Sequence, residues 1–304
     1  MNKKSISLLG VILLLFTFHT FNVFADELTP EPIPVITNPA HQFNPSVFAN
    51  WLVFDDNRTG YWEVYLYHLV SGKEIQITST SSTKWHSPSI YGNYVVYQDD
   101  RDGDDDIYLY DITTGEETKL VDEVGSQLNA DIHRNRVVWM DNRKHVGTND
   151  IYLIDIETGI VKQVTNDTAD QQNPVIYHNK IVWQDFRNSQ GSNHTDIYLY
   201  DLTLDLEIPV SLANGDQLNP VIYGNKIVWD DTRNGSSNPD IYMLDLDTGK
   251  EIQVASSDDY EHRPDIFGNS IVYAKNGDIM LYDLMNSLSY QITDHPKTQS
   301  QHFK

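Results

Sequence analysis

The chain has 304 residues, 44 of them acidic and 21 basic, a net charge of −23 with histidine neutral, and no cysteine. So acidic a surface repels phosphate backbones and anionic headgroups, which sets nucleic acid aside as a partner. Without cysteine an exported chain has no disulfides and no lipid on an N-terminal cysteine, so its stability must come from buried apolar area in one large or two modest domains.

Residues 1–25 read as a secretory signal peptide. Lys3 and Lys4 lead, an apolar run from Ile6 to Phe18 follows, and Val23 and Ala25 stand at the small-residue positions before a cut. The run falls short of the about 20 residues that a membrane span needs. The expectation is an exported protein, secreted to the exterior or periplasmic, with no membrane insertion once the leader is gone. Residues 26–43 form an N-terminal extension. In it "EPIPVIT", Glu31 to Thr37, resembles "EIPVS" at Glu207 to Ser211 and reads as a spare strand, there either to close a ring or to cover a sheet edge.

Residues 44–293 are one unit written six times, starting at Asn44, Ser87, Asn129, Asn173, Asn219 and Arg263, a period near 44. "NPVIYGNKIVWDDTR" from Asn219 is typical of the six. Each unit opens with a strand like "PVIY" and a tight turn ending in asparagine (Asn50, Asn93, Asn135, Asn179, Asn225, Asn269), a residue that accepts left-handed backbone. A second strand like "KIVW" follows, then a loop of variable length and a third strand like "DIYLYD". A turn at Gly72, Gly115, Gly159 or Gly249 in four of the units leads to a fourth strand like "EIQIT". Apolar residues recur every second position, the period of a half-buried strand. Four antiparallel strands per unit cannot bury their faces alone, but arranged radially each sheet packs on the next. The predicted fold is therefore all-β, a six-bladed β-propeller of four-stranded antiparallel blades. Residues 294–304 form a tail that repeats the inter-blade linker and stops.

After the second strand, five units share Asp-x-Arg: Asp56 and Arg58, Asp99 and Arg101, Asp141 and Arg143, Asp185 and Arg187, Asp231 and Arg233. A pattern used five times round a ring is a structural device: the aspartate takes backbone N–H groups in a turn and the arginine pairs with a carboxylate. The sixth unit has Ala274-Lys275-Asn276-Gly277 instead, so its wall must be built differently. In the second unit Asp100, Asp102, Asp104 and Asp106 alternate around Gly103, the kind of oxygen-rich loop that wraps Ca²⁺. Asp106 belongs to the repeat, however, being the counterpart of Asp150, Asp196, Asp240 and Asp278, so an exposed acidic loop is the simpler expectation and calcium the second.

In a propeller the inter-blade loops gather at the mouth of the channel, and there the sequence offers polar and aromatic groups. Gln127, Gln171 and Gln217 stand before the entering strand of three units, while "KWHSP" and "YEHRP" bring Trp85, His86 and His262. With His41 near the first unit, the three histidines would meet at one side of a closed ring, where they could hold Zn²⁺ or Mn²⁺. These seven residues are the candidate binding set. No catalytic residue is assigned, because no nucleophile elbow, zinc-protease helix or phosphate loop is present.

The entering proline, the "DIYLYDLxTG" core and the closing "QIT" resemble the repeats of TolB-like six-bladed propellers, including those found in tandem in bacterial and archaeal cell-surface proteins. The resemblance covers Asn44 to Thr293. It implies fold more than activity, since such propellers serve as protein-binding platforms, glycan-active enzymes and peptidase accessory domains. The α/β domain that precedes the propeller of true TolB is lacking, which speaks against a part in the envelope-spanning Tol assembly. The leading expectation is an exported, monomeric, non-enzymatic module that binds a protein or a polysaccharide through its loop-rich face. The alternative is a metal-dependent glycan-active enzyme resembling the oligogalacturonate lyases.

Overall fold

The computed structural model describes residues 35–294 except 82, 145–146, 190–193 and 236–237. The segment read as a signal peptide, most of the N-terminal extension and nearly all of the tail lie outside the described residues. Every regular element described is a strand, 24 in all, grouped into six four-stranded antiparallel sheets in simple sequential order. The blades span 42–76, 89–121, 127–163, 171–211, 217–255 and 261–291. They make a six-bladed β-propeller. Contacts between the first strands of successive blades place those strands innermost.

Each hairpin between first and second strand is a two-residue turn, as in the pairing of Phe48 with Trp51 and Tyr223 with Lys226. The left-handed residue is the one before the asparagine: Ala49, Gly92, Arg134, His178, Gly224 and Gly268 all have φ between 51° and 62°. That corrects the assignment of the left-handed position to the asparagines, and it fits a turn whose positive φ falls on its first central residue. The asparagines serve through their carbonyls, which accept the N–H of the residue after the third strand, as Asn179 does from Leu202 at 2.8 Å.

In five of the blades the first strand also breaks register near its start, at a residue with positive φ, Asn44, Asn129, Asn173, Asn219 or Arg263, and Ser87 takes a positive φ two residues ahead of the shorter first strand of blade two. Such bulges bend the strand and re-aim its N–H groups, here toward the preceding blade. Second and third strands pair so that Trp139, Trp183 and Trp229 lie opposite Tyr152, Tyr198 and Tyr242. Their rings stack at 6.0 to 6.3 Å, and all three tryptophans are fully buried. One apolar core forms between each of the five successive pairs of blades, the face of one sheet closing on the face of the next.

Candidate functional site

The wall of the loop face is built by the Asp-x-Arg units. All five aspartates are buried, and each accepts the N–H of its arginine at 2.7 to 2.9 Å. The guanidinium closes back on the same carboxylate and lies 4.0 to 4.5 Å over the third-strand tyrosine, Tyr65, Tyr108, Tyr152, Tyr198 or Tyr242. Its outer edge meets a second acid, Glu74, Glu117, Glu123, Glu207 or Glu251. Burial works against the charge on Asp56, but the hydrogen bonds from Arg58 and Gln42 outweigh it and hold that carboxyl below its ordinary value. In blades three to five the tryptophan Nε1 donates to the same aspartate at 2.8 Å, tying wall to core.

Gln127, Gln171 and Gln217 are not on the open face. All three are fully buried, and their Nε2 atoms donate to the carbonyls of Gly125, Ala169 and Gly215 two residues earlier. Each brackets its own linker, because the bulge turns this position inward under the loop. The histidines do not form a metal centre either. His86 is buried, with Nδ1 2.8 Å from the Gln98 carbonyl and Nε2 2.9 Å from the Trp62 carbonyl, so neither ring nitrogen is open to a metal. His41 stacks loosely on Phe43 at 6.3 Å, while His262 packs on Tyr260 at 4.6 Å. Burial, with Arg263 nearby, lowers the pKa of His262. Among the described residues no three His, Asp or Glu side chains are grouped to hold a metal ion. A histidine-held manganese or zinc does not fit this donor set.

The acidic loop is knitted to lysines rather than gathered on one point. Lys84 lies 3.3 Å from Asp100 and 3.0 Å from Asp105, and Lys119 lies 2.7 Å from Asp106 and 3.3 Å from Asp102. Asp102 also accepts from the Tyr108 hydroxyl at 2.8 Å, and Asp104 is exposed. The alternating carboxylates thus point to two separate cations instead of sharing one.

What the structure assembles around Trp85 is an aromatic shelf. Phe43, from the first strand of blade one, sits 5.4 Å from both Trp62 and Trp85, whose rings meet edge to face at 6.0 Å. Trp85 is 50% exposed, a large apolar ring left in water. Beside the shelf opens a cleft of about 470 Å³ lined by Trp62, Thr83, Lys84, Trp85, Ser87, Gln98 and Asn129. The shelf is held from beneath. The His86 ring engages the Trp62 carbonyl, Gln98 Nε2 donates to the Trp85 carbonyl at 3.2 Å, and Asp55 accepts the His86 N–H at 3.1 Å. His86 is therefore a positioning residue for two tryptophans. Sequence reasoning found Trp85 and missed Phe43 and Trp62. The available signal was position: Trp62 stands where the other units have Asp105, Asn149, Thr195, Pro239 and Gly277.

No family model and no curated protein matches this sequence. Among solved structures it is similar to TolB from Acinetobacter baumannii, at 18% identity and TM-score 0.57, covering 75% of this chain and 58% of that one. It is similar also to an oligogalacturonate lyase from Vibrio parahaemolyticus, at 13% identity and TM-score 0.61, covering 87% and 80%. A prolyl endopeptidase matches at 12% identity and TM-score 0.65, covering 83% and 42%. Less than two thirds of the Acinetobacter protein's length is spanned. At such identities the likeness is one of fold: the chain is a six-bladed β-propeller, similar in fold to that of TolB.

Proposed function

We propose that this protein is an exported binding module that captures a glycan chain on the shelf formed by Phe43, Trp62 and Trp85. The observation that carries the reading is the half-exposed Trp85 ring beside an open cleft with two further aromatic rings. An exposed apolar surface in a concave, partly polar setting marks a binding site, and flat rings suit the apolar faces of pyranose sugars. Charge narrows the class. Lys84, at the cleft, is bracketed by Asp100 and Asp105 in a chain of net charge −23, so uncharged or amino sugars are favoured over polyuronates. The fold likeness to a lyase supports glycans as a class of ligand, but the engagement of both His86 nitrogens counts against a metal-dependent lyase.

The test is titration with neutral and amino-sugar oligosaccharides, followed by tryptophan fluorescence and calorimetry, beside oligogalacturonate with and without manganese. Saturable binding to a neutral or amino sugar, weakened at least about tenfold by Trp85→Ala, is expected; a stacked aromatic contact is worth about 1.4 kcal/mol or more in that case. Binding that ignores Trp85→Ala, or formation of an unsaturated sugar product, would sink the proposal.

A further inference from the structure

Among the described residues five of the six possible blade interfaces are packed, and the sixth is not. Ile279 is 41% exposed, whereas its counterparts Val64, Ile107, Ile151, Ile197 and Ile241 are wholly buried. Across the seam Val47 is 62% exposed, whereas Ile90, Ile132, Ile176, Ile222 and Ile266 are at 6% or less. Among the described residues no core cluster spans blade six and blade one. The aromatic rings that end the first strands form a run of contacts at 4.4 to 4.9 Å from Phe48 through Tyr91, His133, Tyr177 and Tyr223 to Phe267. The run ends on one side at Phe48 and on the other at Phe267, which is 75% exposed.

Chemistry matches the geometry. One residue ahead of each Asp-x-Arg aspartate stands an acceptor for an N–H of the next blade. Asp55 takes those of His86 and Ser87 at 3.1 and 3.2 Å, Gln98 takes that of Asn129 at 2.7 Å, and Gln184 takes that of Asn219 at 2.9 Å. Asp230 is approached by that of Arg263, and Met140 Sδ meets that of Asn173 at 3.3 Å. In blade six the position is Ala274, which offers no acceptor. Blade six already has its four strands, so no strand is missing from it. Among the described residues, what both sides lack is a facing sheet.

We propose that the facing sheet is a second copy of this chain, blade six of one copy docking on blade one of the other. Each copy carries both unpaired halves, one on blade six and one on blade one, of a contact that its own core makes five times, so the halves of two copies are complementary by construction and the contact is head to tail. A face of four strands about 4.8 Å apart and six residues long covers about 400 Å² in plan. Two copies joined at both seams double that to about 800 Å² per partner, the size of an ordinary specific interface.

The experiment is the mass of the purified protein in solution, by light scattering and sedimentation from about 1 to about 100 μM. A mass of at least twice the monomer is expected at the upper end, reduced to the monomer by Ile279→Asp or Val47→Asp alone. Both side chains are exposed, so each variant folds, which circular dichroism and melting would verify. Mixing the two variants is the decisive arm: one retains an intact blade one and the other an intact blade six, so a dimer returns. A parent that stays monomeric throughout overturns the proposal. So does a lowered melting point in the variants without change of mass, the signature of a seam that closes within one chain.

Discussion

Asp230 is a buried carboxyl whose ionisation the fold opposes, and that opposition has a measurable sign. Burial pushes its pKa from the ordinary 3.8 to about 7; hydrogen bonding from Asn219 and from the backbone N–H of Arg263, with the Arg263 charge, recovers only part of the cost. Its Oδ1 has no hydrogen-bond partner, which a protonated acid tolerates better than an anion. Three other blades hold neutral Gln98, Gln184 and Met140 at the same place and only blade one has another carboxyl there, Asp55, so a charge is not needed at this position. A group whose folded pKa is raised stabilises the fold fully below its unfolded pKa, and that stability is lost as pH rises through the folded value. The window is therefore about pH 4 to about pH 7. A shift of about 3 units, at about 1.36 kcal/mol each, sets a ceiling of about 4 kcal/mol. Asp230→Asn keeps an acceptor for Asn219 and never ionises. It should match the parent near pH 4 and exceed it near pH 8 by an amount up to that ceiling, read from urea unfolding at both ends of the range. Taking the difference between parent and variant removes every other titration that the two share. A difference that is flat with pH, or that favours the parent at the alkaline end, would refute the reasoning. Asp131, raised by burial to about 6, works with the same sign over a narrower range.

Two further outcomes are specific. A Cβ at Gly215, where φ is +86°, would lie 2.8 to 2.9 Å from Thr232 Oγ1, C and O, so Gly215→Ala should cost about 2–4 kcal/mol. Gly224→Ala meets nothing within 4 Å and takes a turn position that Ala49, Arg134 and His178 fill elsewhere, so it should cost only about 1 kcal/mol; equal losses in chemical denaturation would show the steric argument to be wrong. Chelation followed by added calcium should leave the melting temperature unchanged, because Lys84 and Lys119 already neutralise the acidic loop. A fall of several degrees with EDTA, restored by calcium, would return Asp100 to Asp106 to the role of a cation site.

Blade count, strand order and core were legible because the repeat presents each of them six times over. Alternation every second residue fixed which side chains face a neighbouring sheet, and recurring aromatics marked the second strand of all six units and the third strand of five. The left-handed turn position was misplaced by one residue, since Asn50 and its counterparts draw the eye while Ala49 and His178 do not look like turn residues. Their φ follows from the two-residue turn geometry, which outweighs residue preference at about 1–2 kcal/mol. The site was less legible. Gln127, Gln171 and Gln217 were read as mouth residues from loop polarity, but the bulge that follows turns them inward. His86 looked like a ligand because a histidine pattern says nothing about which carbonyls its two nitrogens will meet.

In a repeat protein, residues that agree with the repeat build the scaffold, and residues that depart from it are free to do something else. Asp185, Arg187 and Trp183 recur in kind, and their geometry is accounted for by wall and core alone. Trp62 departs from every other unit, and it is one ring of the exposed shelf. Ala274 departs as well, and it stands where the next blade would otherwise be hydrogen-bonded. Both departures adjoin apolar surface left in water, Phe43 and Trp85 at the one and Val47 and Ile279 at the other, a state that costs free energy unless something covers it. They are also separable. The shelf lies between blades one and two, the seam between blades six and one, so Trp85→Ala and Ile279→Asp should act on different measurements and add when combined.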